Sequence, residues 1–185
     1  NIAHGDAAAA NPMANPRVRE AFDLSLDRDV INQVAFGGAY IPDRHWAPPG
    51  TPYHVAELRA QPRNVERARA LLREAGIPNP TFRLMVQNSA DWLQAAEIMQ
   101  AMAREAGFDM RIQATEFATS LSSANQGRFD AYFSGWSGRP DPDGNIHAFV
   151  TCKGGLNDWK YCSPEVDKLL DEARTLADPA ARKAK

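Results

Sequence analysis

One short stretch of the sequence brings together side chains that can bind a charged organic ligand. The apolar run Phe133-Ser134-Gly135-Trp136 leads directly into Ser137-Gly138-Arg139-Pro140-Asp141-Pro142-Asp143. An indole can stack on a ligand and a guanidinium can anchor an anion, and ligands bind beyond the carboxyl ends of strands in α/β sheets. The alternative is structural: Trp136 packs in the core, and Arg139 forms an ion pair with Asp141 or Asp143.

The two cysteines, Cys152 and Cys162, are ten residues apart, and turn residues lie between them. Such a loop can close into a disulfide, whereas two cysteines alone cannot complete a zinc site. A disulfide predicts an oxidising compartment. From the spacing alone, two buried free thiols remain the alternative.

Other candidate sites have simpler interpretations. The four histidines, His4, His45, His54 and His147, lack the spacing of a metal site, so we predict no metal. The run Pro140 to Asn145 departs from the EF-hand pattern, and a turn whose carboxylates accept backbone hydrogens explains it better. The sequence contains no phosphate-binding glycine loop, no Gly-x-Ser-x-Gly elbow and no His-Glu-x-x-His motif, so we predict neither a cofactor nor an enzyme.

The elements that must position these residues follow from apolar periodicity and caps. Spacings of three and four predict helices, and alternation predicts strands. Six helices are predicted. The first begins at Pro16 after the cap Asn15, the second contains Val30 to Val34 and ends at Gly37, and the third follows Asn64 and ends at Gly76. The fourth spans 90–106, the fifth lies around Leu121, and the sixth begins at Pro164 after the cap Ser163. The predicted strands are a stub around Ile2, Phe82 to Val86, Met110 to Ala114, and Phe129 to Trp136, the last buried on both faces.

The order of these elements predicts an α/β protein. The strand at Phe82, the helix at 90–106 and the strand at Met110 form a right-handed βαβ unit with a parallel strand pair. Residues 39–63 are too rich in proline for regular elements, so we expect an ordered surface excursion. Asp178-Pro179 has the form of a further helix start, and because Asn1 is no native initiator we expect that the chain is part of a longer one.

Composition sets outer limits. The chain has 185 residues, of which 44% are hydrophobic and 24% are charged, which fits a globular protein of one domain or two small ones. The formal charge of −2 argues against a nucleic-acid binder that works by bulk charge. No apolar run approaches the roughly 20 residues that span a bilayer.

Five ordered blocks resemble one protein family. Asn15 to Phe22 followed by Leu26 to Ile31 resembles the VRxAxxxAxDRxxI signature of the extracellular solute-binding proteins of family 5, the dipeptide, oligopeptide and nickel receptors of ABC importers. The other blocks that are similar to this family are Gly37 to Tyr40 with Pro48 to Gly50, Asn64 to Leu72, Gly127 to Asp130 with Gly135-Trp136 and Asp141 to Asp143, and Tyr161 to Asp167.

The resemblance implies a fold and a function. Residues 1–185 are expected to be the second ligand-binding lobe of a larger type II periplasmic-binding-protein fold, with a mixed sheet, βαβ units and flanking helices. The receptor would capture a peptide-like or small anionic solute between two lobes and deliver it to ABC importer permease subunits. It would act as a monomer, in the periplasm or as a membrane-tethered lipoprotein. Family members often carry a cysteine pair flanking this loop, which favours the disulfide.

The resemblance also implies a ligand site. Trp136 corresponds to an aromatic wall, and three residues later peptide-binding members place an aspartate that holds the peptide's terminal amine. This chain has Arg139 there. The inverted charge favours a ligand that presents a carboxylate, such as an anionic peptide of the glutathione kind. The predicted ligand site consists of Trp136, Arg139, Ser137, Phe133, Asp141 and Asn125.

Two other functions are open. An enzyme could use Asp141 and Asp143 with His147, although an exposed proline-rich turn gives little reason for the raised pKa that a general acid needs. A chaperone or signalling receptor could use the same fold to recognise extended chains or a partner protein.

Overall fold

The computed structural model describes residues 1–4, 7–58 and 60–185, which form two compact units. Unit 1 consists of Asn1–Pro42 and Gln61–Ser134, and unit 2 consists of Asp43–Ala60 and Gly135–Lys185. The chain therefore passes between the units three times, and the proline-rich excursion belongs to unit 2.

Unit 1 holds a parallel sheet and the helices that cover it. Its elements are α1 (Ala7–Ala10), a 3₁₀ turn (Pro12–Ala14), α2 (Pro16–Ser25), α3 (Arg28–Phe36), α4 (Val65–Glu74), β1 (Thr81–Gln87), α5 (Ala90–Ala106), β2 (Asp109–Thr115), α6 (Phe117–Asn125) and β3 (Ala131–Phe133). The predicted α/β class is confirmed.

The sheet has the strand order β2-β1-β3. β1 pairs in parallel with β2, where Phe82 lies opposite Met110, and in parallel with β3, where Leu84 lies opposite Ala131. Because α5 connects β1 to β2, the predicted parallel pair with its crossover helix is confirmed. The three described strands all run parallel, where a mixed sheet was expected.

Apolar side chains of α2, α4, α5 and the sheet form the core of unit 1. Val18, Leu72 and Phe82 are almost completely buried. The ring of Phe22 packs edge-on against Phe82 and Phe108, with centroids 5.4 and 5.5 Å away. Burying one large apolar side chain stabilises a fold by roughly 1.5–3 kcal/mol, so this cluster supplies much of the stability of unit 1.

The predicted helix starts after Asn15 and Asn64 are confirmed by their caps, because each side chain accepts a hydrogen bond from a backbone N–H in the first turn of α2 or α4. The helix α3 begins at Arg28, two residues before the predicted Val30, and its cap Asp27 was not predicted. Gly107 ends α5 with φ of +107°, a conformation that favours glycine. A Cβ there would lie 2.9 Å from the Pro78 carbonyl oxygen, so position 107 also lacks room for a side chain.

The third strand differs from its prediction. β3 covers only Ala131–Phe133, and all three residues are half-buried instead of buried on both faces. β3 pairs with β1 alone among the described strands, and the chain leaves unit 1 after Ser134. The apolar run from Phe129 to Trp136 is therefore divided between the two units, with its residues up to Ser134 in unit 1 and the rest in unit 2. The prediction of one continuous buried strand is wrong for this reason.

The predicted strand around Ile2 is also absent from the described residues at the amino terminus. The Asn1 side chain instead donates hydrogen bonds to the carbonyls of Gly127 and Phe129, at 3.0 and 3.1 Å. The alanines that follow form α1, in keeping with the high helix propensity of alanine.

Unit 2 consists of helices and irregular segments over its described residues. Its helices are α7 (Asp143–Val150), α8 (Pro164–Thr175) and α9 (Pro179–Lys183). The predicted starts at Pro164 and Pro179 are confirmed, whereas α7 was not predicted because its first residues match a turn. Residues 39–58 and 60–63 form neither helix nor strand, as expected. Within the described part of the chain, no helix is long and apolar enough to cross a membrane.

Candidate functional site

Unit 2 contains the loop between Trp136 and α7. The Asp141 carboxylate accepts a hydrogen bond from the backbone N–H of Asp143 at 2.8 Å, the turn that the sequence predicts. Asp143 then begins α7. The loop therefore presents Ser137 to Asp141 ahead of a helix that starts immediately after it.

The buried side chain of Asn145 fixes the shape of this loop. Its Oδ1 accepts hydrogen bonds from the Arg139 backbone N–H at 2.6 Å and from Trp136 Nε1 at 3.3 Å. Its Nδ2 donates to the carbonyls of Arg139 at 2.7 Å and Asp141 at 3.3 Å. Only 5% of Asn145 is exposed, so these groups depend on one amide that water hardly reaches. Sequence analysis missed this residue.

Arg139 lies over the indole of Trp136. Its Cζ is 5.0 Å from the ring centroid, within the range of a cation–π interaction. Its Nη1 donates to the backbone carbonyl of Ser137 at 2.5 Å and lies 3.2 Å from the Ser137 hydroxyl. Arg139 is exposed, and Trp136 is 44% exposed. The guanidinium thus makes its protein contacts with its own loop and keeps one side open to solvent.

Both loop carboxylates bind other arginines. Arg182 of α9 donates through Nη1 and Nη2 to the two oxygens of Asp141, each at 2.6 Å. Arg174 of α8 contacts Asp143 in the same two-pronged way, at 3.1 Å through Nε and 3.1 Å through Nη2. Across residues 1–4, 7–58 and 60–185, no carboxylate forms an ion pair with Arg139. An ion pair of Arg139 with Asp141 or Asp143, one part of the structural alternative, is therefore wrong, although the Arg139 guanidinium does bond to Ser137 of its own loop.

The ion pairs also bear on acid–base chemistry. The hydrogen bonds from Arg182 hold the pKa of Asp141 below its ordinary value, even though partial burial acts in the opposite direction. A general acid needs a raised pKa, so the geometry opposes that role. His147 Nε2 lies 2.9 Å from both Asp171 Oδ1 and Arg174 Nη1 and so belongs to the same surface network. Among the described residues, no three His, Cys, Asp or Glu side chains converge as a metal site would require.

Aromatic rings extend from Trp136 across unit 2. Phe149 packs edge-on against Trp136, with centroids 4.9 Å apart, and is stacked with Trp159 at 6.1 Å. Trp46, from the proline-rich excursion, lies 5.5 Å from the same Phe149 and is 42% exposed. No periodicity in the sequence links these rings, because they come from four separate segments: the proline-rich excursion, the chain before the Arg139 loop, α7, and the segment between α7 and α8.

A small cleft adjoins Arg139. Its empty volume is about 190 Å³, and its walls are Ala47, Pro48, Thr51, Tyr53, Arg139, Pro140, Pro142 and Asn145. This volume includes space that is open to solvent, so the enclosed part of the cleft is small and cannot cover a whole peptide. Thr51 and Tyr53 were not predicted, since nothing local in the sequence links the excursion to the loop.

The predicted disulfide is confirmed. Cys152 and Cys162 are bonded, with Cα atoms 4.3 Å apart. Inside the closed loop, the buried Asn157 amide donates to the carbonyls of Thr151 and Tyr161, at 2.9 and 2.6 Å. The disulfide and this amide together stabilise the irregular segment between α7 and α8.

Two predicted site residues lie in unit 1. Phe133 ends β3 and packs against Trp92, with centroids 4.6 Å apart. Asn125 is the last residue of α6 and is exposed. Their contribution to a ligand site stays a prediction, whereas Trp136, Ser137, Arg139 and Asp141 do meet in one loop of unit 2.

Known proteins resemble the chain over most of its length. Residues 3–157 match the family described as bacterial extracellular solute-binding proteins, family 5 Middle. The probable di/tripeptide-binding protein 5 of Pseudomonas aeruginosa is 31% identical over 180 residues, which cover 92% of this chain and 34% of that protein. The chain thus spans about a third of the length of such relatives.

Solved structures agree on the fold. HbpA2 from Haemophilus parasuis superposes with a TM-score of 0.85 at 26% identity, over 92% of this chain and 36% of that one. The binding protein AgaA of Agrobacterium tumefaciens, solved with agropinic acid, gives a TM-score of 0.81 at 25% identity, over 94% of this chain and 37% of that one. The predicted periplasmic-binding-protein fold is confirmed, and the matched family is one of solute-binding proteins and not of enzymes. The chain belongs to the bacterial extracellular solute-binding proteins of family 5.

Proposed function

We propose that the protein captures a peptide-like or small anionic solute and that Arg139 binds a carboxylate of that solute. The observation that carries this proposal is a guanidinium that lies over an exposed indole while both neighbouring carboxylates bind other arginines. A planar cation beside an aromatic surface suits a ligand with a carboxylate next to an apolar group.

The names of similar proteins support this class of ligand. They include di/tripeptide-binding proteins of Pseudomonas aeruginosa and the dipeptide-binding protein of Escherichia coli. AgaA was solved with agropinic acid, so a protein of this fold also takes an acid. An acidic peptide or a related small anion would be both peptide-like and acidic.

The charge of Arg139 separates this protein from receptors that hold a peptide's amine. An aspartate at this position would attract an ammonium group, whereas a guanidinium repels one and donates two parallel hydrogen bonds to a carboxylate. We therefore propose that the ligand is oriented with an anionic group at this loop, with Trp136, Ser137, Phe133, Asp141 and Asn125 as the remaining predicted site residues.

The mechanism that we propose is capture without chemistry. Residues 1–185 form one ligand-binding lobe, a second lobe supplies the opposite wall, and hinge closure encloses the solute. The closed receptor then delivers the solute to permease subunits of an ABC importer. We place the protein in the periplasm or tethered to a membrane as a lipoprotein, in keeping with its disulfide.

Isothermal titration calorimetry on the full-length protein tests the proposal. The probes are glutathione, Glu-Glu and N-acetylated Ala-Glu, compared with Ala-Ala and Lys-Lys, which have no acidic side chain. We expect the acidic probes to bind, and the Arg139→Asp variant to lose about 2–5 kcal/mol of binding free energy, because a charge pair enclosed in the cleft is left unmatched.

Lys153→Gln is the matched control, because Lys153 is an exposed cation of the same unit. Its removal should leave affinity unchanged. If Arg139→Asp binds every acidic probe as well as the parent protein does, Arg139 only supports its own loop and the proposal is wrong.

A further inference from the structure

The loop that carries Arg139 has an unfavourable charge for binding an anion. Asp141 and Asp143 follow Arg139 by two and four residues, so the loop by itself carries one net negative charge. Exposed opposite charges this close in sequence pair readily, and such a pair would compete with any carboxylate ligand.

The two ion pairs with α8 and α9 offset that charge. Arg182 and Arg174 each add one positive charge, and Asp171, 3.8 Å from Arg174, adds one negative charge, so the loop and its contacts together are neutral. Both contacts are two-pronged, which fixes the carboxylates in direction as well as in distance. The carboxylates thus have partners other than Arg139.

Arg182 is held more firmly than a typical surface arginine. Its side chain is only 15% exposed, and its Cζ lies 5.4 Å from the ring centroid of Tyr53. The guanidinium is thus held by a carboxylate and by an aromatic ring from the proline-rich excursion. The hydrogen bonds from Arg182 also hold the Asp141 pKa below its ordinary value, so this carboxylate stays charged and paired to a lower pH than a free aspartate would.

We propose that Arg182, assisted by Arg174, is a specificity-determining positioning residue that occupies the loop aspartates and so keeps Arg139 available for an anionic ligand. This inference rests on the proposed function. Arg182 touches no ligand in this account; it acts by preventing a competing ion pair between Arg139 and Asp141.

Three variants of the full-length protein separate competition from simple structural support. Arg182→Gln frees Asp141 to pair with Arg139 and should weaken glutathione or Glu-Glu binding by up to about fivefold, since a weak exposed ion pair must break before the ligand carboxylate can bind. Asp141→Asn removes the competitor, so its affinity, which includes any contribution of Asp141 itself to the site, should exceed that of Arg182→Gln and sets the level for the double variant. The double variant Arg182→Gln with Asp141→Asn should restore affinity to that level, because neither charge remains to compete.

A purely structural role predicts a different pattern. Both single variants and the double variant would then bind weakly, because each of them lacks the same contact, and that result would overturn the inference. Lys185→Gln is the matched control, because Lys185 pairs with Glu172 at 2.5 Å in the same part of the chain without touching the loop.

A second measurement needs no ligand. Guanidinium ¹⁵N and carboxyl ¹³C NMR signals should show that Arg139 follows the titration of Asp141 in Arg182→Gln and does not follow it in the parent protein. If the Arg139 signals do not follow the titration of Asp141 in Arg182→Gln, the inference is wrong. Coupling in the variant together with a parent protein that binds none of the acidic probes would contradict the proposed function and leave the pairing of Arg182 established.

Discussion

At the scale of single residues, Asn145 shows how one amide organises a loop. Its oxygen and nitrogen contact groups of Trp136, Arg139 and Asp141, so the ring and the guanidinium are oriented from the same point. Because Asn145 is buried, its removal leaves these groups without a partner that water could easily replace.

We therefore expect Asn145→Ala to destabilise unit 2 by about 1–3 kcal/mol, the usual cost of unsatisfied buried polar groups. Urea denaturation followed by tryptophan fluorescence measures the change, because Trp136 is one of the affected residues. Gln113→Ala, at an exposed position of β2, is the control and should change the free energy of unfolding little. Equal stability of the two variants would show that the amide is not needed.

Asp141 makes stability depend on pH in a defined direction. Its pKa is lowered in the folded protein by Arg182, so its contribution to stability is fully present above the ordinary aspartate pKa and is lost as pH falls through the lowered value. Asp141→Asn should therefore melt below the parent protein at pH 7, and the two melting temperatures should converge as the pH falls below the ordinary aspartate pKa and through the lowered value. A constant difference from pH 7 to pH 2 would contradict this.

At the scale of elements, the segment between α7 and α8 is held by covalent and polar contacts, not by a core. No residue of α8 is fully buried, and the apolar residues that recur at helical spacing from its first turn to its C-cap are only half-buried: Val166, Leu169, Leu170, Ala173 and Leu176. The disulfide and the Asn157 amide precede this helix directly. Unit 2 therefore depends more on its crosslink than unit 1 does on any single contact.

Replacing both cysteines tests this dependence. Cys152→Ser with Cys162→Ser should lower the free energy of unfolding by about 2.7 kcal/mol, the loop-closure entropy of a ten-residue separation. Chemical denaturation with and without reductant measures it, and the reduced parent protein should behave like the double variant. If the oxidised parent protein and the double variant unfold at the same urea concentration, the disulfide does not stabilise the fold.

At the scale of the whole molecule, we propose that the chain supplies one wall of the ligand site. It spans about a third of the length of its relatives, and the cleft beside Arg139 has an empty volume of only about 190 Å³. Most of a bound peptide would thus need cover from elsewhere in the full-length protein, which is what the proposed second lobe supplies.

The 185-residue chain by itself should accordingly bind glutathione or Glu-Glu about a hundredfold or more weakly than the full-length protein, because half of the enclosing contacts are missing. Calorimetry on both proteins gives the comparison, and circular dichroism on the shorter one verifies that it is folded. Equal affinities would mean that this chain holds the entire site.

The extent to which sequence predicted the structure differs between the units. In unit 1, the caps at Asn15 and Asn64 and the alternation of β1 follow from local rules, since a helix start or a strand face needs only neighbouring residues. The length of β3 could not be predicted this way. An apolar run indicates that its residues are buried, but it does not indicate which of the two units they pack in.

The sequence by itself determined the family, the α/β class, the disulfide and the loop in which Trp136 and Arg139 stand together, because those features are local or lie in ordered motifs. Only the tertiary structure decided the partners of the charges in that loop. Arg182 lies 41 residues from Asp141, and Arg174 lies 31 residues from Asp143. Contacts at such separations depend on where the helices pack. The sequence therefore could not show that Asp141 and Asp143 pair with these arginines and not with the nearby Arg139.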